Sequence, residues 1–289
     1  MQPINKQTRR QRWSAYRSHP QALILRILVS LAALITVGIL IVLIGYILIR
    51  GVPNLKPSLF AWEYNTENVS MMPAIINTVL MTLLSLLLAV PIGVFSAIYL
   101  VEYARRGNRF VAVVRITAET LSGIPSIVYG LFGYLMFAVA CGFGYSFIGG
   151  VLTLAIMILP LIMRTTEEAL KAVPDSFREG SFSLGAGRLR TVWKIVLPAA
   201  IPGILSGVIL GIGRIVGETA ALIYTAGTVA QVPENLLASG RTLSIHMYAL
   251  LSEGLYTEEA YATAVVLLVM VIAINALSGV VARKVAAKT

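Results

Sequence analysis

The chain has 289 residues, 57% of them apolar and only 12% charged, with 23 basic side chains against 13 acidic ones and a net charge of +10. Soluble domains average about 45–50% apolar and about 25% charged residues, so this composition excludes a water-soluble globular protein. The single Cys141 excludes an internal disulfide framework and a cysteine-based zinc site, and His19 and His246 are too few and too far apart for a histidine cluster.

A helix needs about 20 apolar residues to cross the hydrocarbon core of a bilayer. Uncharged runs of 23 residues between Arg26 and Arg50, 34 between Glu67 and Glu102, 44 between Glu119 and Arg164, 19 between Lys194 and Arg214, and 23 between Glu259 and Arg283 supply them. The 44-residue run divides at the glycine-containing turn from Cys141 to Ser146. The pattern predicts an all-α integral membrane protein with six transmembrane helices, at 25–49, 72–101, 115–140, 147–166, 199–229 and 260–282. A basic N-terminal tail, 1–24, and a short C-terminal tail, 283–289, flank a membrane domain, 25–282. The first span is longer than a signal-peptide core, and no small-residue cleavage site follows Ile49, so it reads as a retained anchor. Pro125 is expected to bend span three, and Glu119 to pair with Arg115 one turn away.

Lys and Arg in the flanks set orientation. The two tails and the loops after spans two and four hold 19 basic residues, whereas the opposite side holds Arg50, Lys56 and Arg241 beside six acids. Both termini are therefore expected in the cytoplasm. Topology accounts for most of the positive charge, and nucleic acid is not expected as a partner.

Of the loops expected in the cytoplasm, the long one is the stretch at 167–198. Span four continues to Val173, where Pro174 stops it. Ser176 and Glu179 have capping-box spacing, so a short helix is expected to start at Ser176, with Phe177, Phe182 and Leu184 as its apolar groups and Gly185 as its C-terminal cap. A second amphipathic helix carries Leu189, Val192, Trp193 and Val196 on one face and Arg190 and Lys194 on the other. Two readings stand at this point: a helix lying on lipid headgroups, and a helix docking into a groove of a cytoplasmic partner.

Glu179, Gly185 six residues later, Ile195 after nine intervening residues, and Leu197-Pro198 resemble the EAA loop of ABC importer permeases, E-A-A-x3-G-x9-I-x-L-P, with Gly180 and Ser181 at the alanine positions. The resemblance implies a type I ABC importer permease fold. It also implies that the segment of Ser176, Phe177, Glu179, Phe182 and Gly185 is a coupling helix that docks on an ATPase subunit. A helix cap alone would also account for Glu179 and Gly185.

The chain carries no G-x4-G-K-[ST], no H-E-x-x-H and no convincing G-x-S-x-G, so an autonomous enzyme or pump is not expected. In span five, Gly203, Gly207 and Gly211, then Gly213 and Gly217, recur every four residues, a spacing that brings membrane helices close together. Arg214 lies about 24 Å of helical rise beyond Pro198, at membrane depth. An Arg there costs about 2.5–3.5 kcal/mol on insertion scales. Two readings remain open. Arg214 and Glu218, four apart, can form a structural ion pair. Alternatively, the guanidinium fork meets an oxyanion while Glu218 steadies it and Thr219 adds a hydroxyl. Arg164, at the end of span four, is expected at the interface, with an anion contact on the cytoplasmic side as the alternative reading.

The segment Gly213-Arg214-Ile215-Val216-Gly217-Glu218-Thr219-Ala220, continuing through Gly227, resembles the fifth span of phosphate-specific importer permeases, of the PstA type rather than its paralogue PstC. Gly123 to Gly133, Arg164 to Glu167 and Ser239 to Leu243 also resemble this family, and the resemblance runs from about Asn77 to the C-terminus. It implies a transport subunit of the bacterial inner membrane. Its partners would be a paralogous permease in a heterodimer, a cytoplasmic ATPase dimer that binds the ATP and magnesium, and a periplasmic or lipid-anchored phosphate-binding protein. This chain would hold no cofactor of its own. Rival readings are a permease for sulfate or molybdate, a membrane scaffold in phosphate sensing, and an ion-driven carrier.

Overall fold

The structure, a computed structural model, describes residues 20–286 except Arg106. Residues 1–19 of the basic N-terminal tail, with His19, and Lys288 lie outside the described residues. The chain divides into two units, residues 1–50 and 51–289, each described by itself.

The first unit holds α1, Pro20–Gly51. Its 32 residues begin five positions before the expected span and rise about 48 Å, more than the hydrocarbon thickness of about 30 Å.

All regular secondary structure among the described residues of the second unit is helical. Helix α2, Met72–Ile98, gains a π-turn to Tyr103. Helix α3, Arg109–Ser122, precedes α4, Ser126–Gly133, which continues as a π segment to Ala140. Helix α5 is Phe147–Lys171 and α6 is Asp175–Ser183. Helix α7, Arg188–Thr191, runs through a π-turn into α8, Leu197–Val216. Helices α9, Ala220–Thr225, α10, Leu243–Glu253, and α11, Thr257–Ala286, complete the chain. Five stretches, one of them α1, are long and apolar enough to cross a membrane, and the bent pair α3–α4 makes a sixth if its halves serve one span.

Helix α5 is the hub, because small residues let its neighbours approach. A Cβ on Gly93 of α2 would meet Ile162, and one on Gly203, Gly207 or Gly211 of α8 would meet Ala169, Thr165 or Ile162. Helix α8 therefore runs antiparallel to α5 through the first three glycines of the ladder. Gly213 faces open space and Gly217 meets only its own helix, so the last two do not extend that seam. Met81, Val151, Leu154, Ile158, Ile215 and Leu222 fill the centre.

Three expectations are corrected. Span three is not one helix from 115 to 140: α3 and α4 meet at 105° around Pro125, which caps α4 because its ring excludes the preceding helical turn. Span five ends at Val216 rather than 229, and a break at 217–219 separates it from α9. The amphipathic segment after Gly187 is no separate helix but the start of the span containing α8. Val192 and Val196 are buried there, while Leu189 and Trp193 stay exposed.

Candidate functional site

The break after α8 is built from local chemistry. Gly217 has little helix propensity. The Glu218 carboxylate accepts the Ala221 amide at 3.1 Å, which starts α9, and the Glu218 carbonyl accepts the Ser244 hydroxyl of α10 at 2.6 Å. Glu218 is thus 8% exposed and committed to backbone, and it makes no ion pair with Arg214. The expected ion pair is overturned: the i,i+4 geometry exists only in a continuous helix, and the helix stops between the two residues. Thr219 is the half-buried N-cap of α9, its hydroxyl 3.5 Å from the Gly217 carbonyl.

Arg214 occupies the last turn of α8, half-buried, with no carboxylate partner among the described residues. The carbonyls that a helix leaves open at its C-terminus form the negative end of its dipole, which favours a cation there. The Tyr129 phenol of α4 lies within electrostatic reach of the guanidinium, and its hydroxyl donates to the Leu121 carbonyl at 2.8 Å across the 105° bend. A Cβ on Gly130 would strike the Ala221 backbone, and one on Gly133 would strike Thr153 and Thr225. Helices α4 and α9, which follow the breaks at Pro125 and at Gly217, are therefore packed against each other. Two sequence motifs nearly 90 residues apart form one structural element with Arg214 at its edge.

Arg164 stands apart from this element. Because the glycine seam pairs residue 207 with 165, Arg214 sits roughly 9 Å of helical rise from the level of Arg164. Arg164 is exposed, bonded to Glu168 at 3.2 Å, and it lines a cavity of about 270 Å³ in which Arg115 and Lys171 face Glu119, Glu167 and Glu168. These charges balance, so the cavity has no excess positive charge for an anion. Arg115 pairs at 2.7 Å with Glu167, not with Glu119 as expected; Glu167 also takes Lys171. The buried Glu167 outcompetes an exposed neighbour on the same helix because burial strengthens the attraction.

The loop helix α6 starts at Asp175, one residue before Ser176, and no side chain caps it. The expected capping box is therefore absent: Ser176 and Glu179 lie inside the helix, both exposed. Gly185 performs its expected role at φ +79°, where its amide donates to Phe182 and the Ala186 amide to Ser181, a Schellman closure. Phe177 is 50% exposed, Phe182 48% and Leu184 90%, so the apolar tip of this helix is uncovered. What fixes α6 escaped the sequence reading. Arg178 donates to Glu102 at 2.7 Å, to the carbonyls of Val173 and Leu170, and to Asp175. Glu102 is 76 residues away in sequence, and the only signal was a charge abutting an apolar run.

On the opposite side, Asn77 donates to the carbonyls of Gln231 and Arg241 at 2.9 and 3.1 Å. Arg241, 4% exposed, stacks over Tyr64 at 4.7 Å, and His246, fully buried, meets the same ring edge-on. This polar knot ties the first loop, α2 and the loop before α10 together. Burial first, then the Arg241 charge, holds the His246 imidazole down to about 3.

Residues 89–289 match the family described as "Binding-protein-dependent transport system inner membrane component". The chain is 34% identical over 269 residues, 85% of its length and 90% of the relative's, to "Probable ABC transporter permease protein YqgI" of Bacillus subtilis (strain 168). It is 40% identical over 154 residues to "Phosphate transport system permease protein PstA 1" of Mycobacterium tuberculosis (strain CDC 1551 / Oshkosh), covering 53% of this chain and 50% of that one. To the PstA of Yersinia pestis it is 38% identical over 180 residues, 61% of this chain and 60% of the relative. The match thus spans between half and about three fifths of these two phosphate permeases. Among solved structures, a bacterial ABC transporter that imports alginate matches 94% of this chain and 98% of its own with a TM-score of 0.63 at 14% identity. The MetNI methionine transporter in an inward-facing form matches 84% and 97% with a TM-score of 0.56 at 20% identity.

Proposed function

As this chain belongs to the family of binding-protein-dependent transport system inner membrane components, we propose that it is the permease subunit of an ATP-driven importer and that its cargo is inorganic phosphate. It is a multi-pass protein of the bacterial inner membrane. The observation that carries the cargo reading is Arg214: a guanidinium at membrane depth, beside a broken helix, with no carboxylate partner among the described residues. Broken helices in transporters occur where irregular backbone lines a pathway, and a guanidinium fork fits the oxygens of a phosphate. The family relatives named as phosphate permeases, 38–40% identical over part of the chain, support the same cargo.

In this reading both termini are cytoplasmic, and a paralogous permease completes the pathway. A phosphate-binding protein delivers the anion to the outer mouth. ATP and magnesium are held by a separate ATPase dimer, and this chain catalyses nothing. Phe177, Phe182 and Leu184 enter the ATPase groove, while the buried Glu102–Arg178 pair transmits α6 displacement to α2. The Glu218 carboxylate holds the break open rather than neutralising Arg214, so the cation keeps its full charge for the anion. Thr219, at the same break, adds a hydroxyl to the pathway.

Uptake of radiolabelled phosphate into proteoliposomes holding the complete importer tests this. Arg214→Gln is expected to lower ATP-dependent uptake at least tenfold while the complex stays assembled. Full uptake by that variant removes the anion-site role.

A further inference from the structure

Beneath the turn from α2 to α3, beside the Glu102–Arg178 pair and with Phe182 on its wall, lies a cavity of about 640 Å³ for which the transport reading names no ligand. Six cations line it, Arg105, Arg109, Arg115, Lys171, Arg178 and Arg188, against the carboxylates of Glu102 and Asp175. Arg178 is taken up by Glu102 and Asp175, and Arg115 and Lys171 by Glu167. Arg105, Arg109 and Arg188 have no carboxylate partner among the described residues; Arg188 lies over the Tyr103 ring at 5.4 Å. The floor is apolar, with Leu100 and Val111.

The position of the cavity identifies what it meets. The spans ending at Tyr103 and at Lys171 both terminate on its wall. Helix α3, turned 105° from α4, buries only Val111 and leaves Phe110, Val113 and Ile116 exposed, 59–64% each. A helix with one apolar exposed face and basic residues beside it, set across the direction of a span, lies in the membrane interface. The cavity mouth is then at headgroup level, and basic pockets at that level bind anionic headgroups.

We propose that this cavity holds the phosphodiester headgroup of an acidic glycerophospholipid, with Arg105 and Arg109 as the principal contacts and the acyl chains along Phe110, Val113 and Ile116. The site is separate from the Arg214 pathway. It rests on the orientation proposed above only for the leaflet that supplies the lipid.

The test uses the assembled importer in nanodiscs of equal parts phosphatidylcholine and phosphatidylglycerol, with lipid retained after detergent extraction read by native mass spectrometry. Wild type is expected to retain phosphatidylglycerol over phosphatidylcholine, and the exposed pair Arg105→Gln and Arg109→Gln to retain at least fivefold less. Equal retention of both lipids by wild type, or undiminished retention by the double variant, overturns the proposal. Displacement of the lipid by millimolar inorganic phosphate assigns the site to free anion and overturns it too. So does preferential retention that appears only after the ATPase is stripped away, since partner carboxylates would then fill the cavity. If the double variant does not assemble, photoactivatable phosphatidylglycerol on wild type is expected to label residues 100–116, and labelling elsewhere contradicts the site. Retention is read without transport, so its failure leaves the phosphate reading intact, and the reverse holds.

Discussion

At the scale of single residues, the chemistry turns on which charges the fold leaves uncommitted. The sequence marks Arg214 as unusual because a guanidinium at membrane depth is costly. It does not reveal that Glu218 serves backbone, since a helical count of four holds only while the helix continues. His246 shows the same limit, because nothing near it in sequence says that Arg241 and Tyr64 surround it. Its imidazole titrates at about 3 in the folded chain and near 6.5 when unfolded. Between those values the unfolded chain holds a proton that the folded chain lacks. The contribution of His246 to stability is therefore complete above about pH 6.5 and lost as pH falls toward about 3. Thermal unfolding in detergent from pH 7 to pH 4 is expected to show a steeper loss for wild type than for His246→Phe. Equal slopes would mean that the imidazole is already solvated.

At the scale of elements, the glycine ladder separates into packing and non-packing members. Gly207→Ala is expected to destabilise by about 1–3 kcal/mol, because the added methyl meets Thr165 of α5. Gly213→Ala, facing open space, is expected to be neutral or to stabilise by up to about 1 kcal/mol. Paired thermal melts check the difference, and equal effects would deny the antiparallel seam. The anchor of α6 gives another contrast. Glu102→Gln leaves Arg178 without its buried partner and is expected to cost about 3–5 kcal/mol. Asp175→Asn, at a carboxylate 78% exposed, is expected to cost under about 1 kcal/mol. Phe182→Ala is expected to weaken ATPase association in pull-down while the spans melt as wild type. The helix positions were legible in the spacing of charges, and the loop helix in Pro174 and Gly185. The breaks at Pro125 and Gly217 were not fully legible, because each is completed by a neighbour: Tyr129 bonding back to Leu121, and Ser244 holding Glu218.

At the scale of the whole molecule, apolar runs alone predict a multi-span helical protein, and the structure and family membership agree. How the spans pack was hidden, since it depends on contacts such as Gly207 with Thr165 and Glu102 with Arg178 that no local window contains. The net positive charge, first a question about partners, divides into orientation, a basic cavity at one membrane face and one uncommitted cation in the fifth span. In the proposed reading, the chain is one part of a machine whose energy and cargo delivery come from other subunits. The most direct test is uptake of labelled phosphate by proteoliposomes containing the complete importer, with and without ATP, and against excess unlabelled phosphate, sulfate or molybdate. The account predicts uptake that requires ATP and is suppressed by unlabelled phosphate alone. Uptake that proceeds without ATP, or that sulfate or molybdate suppresses equally, would contradict it.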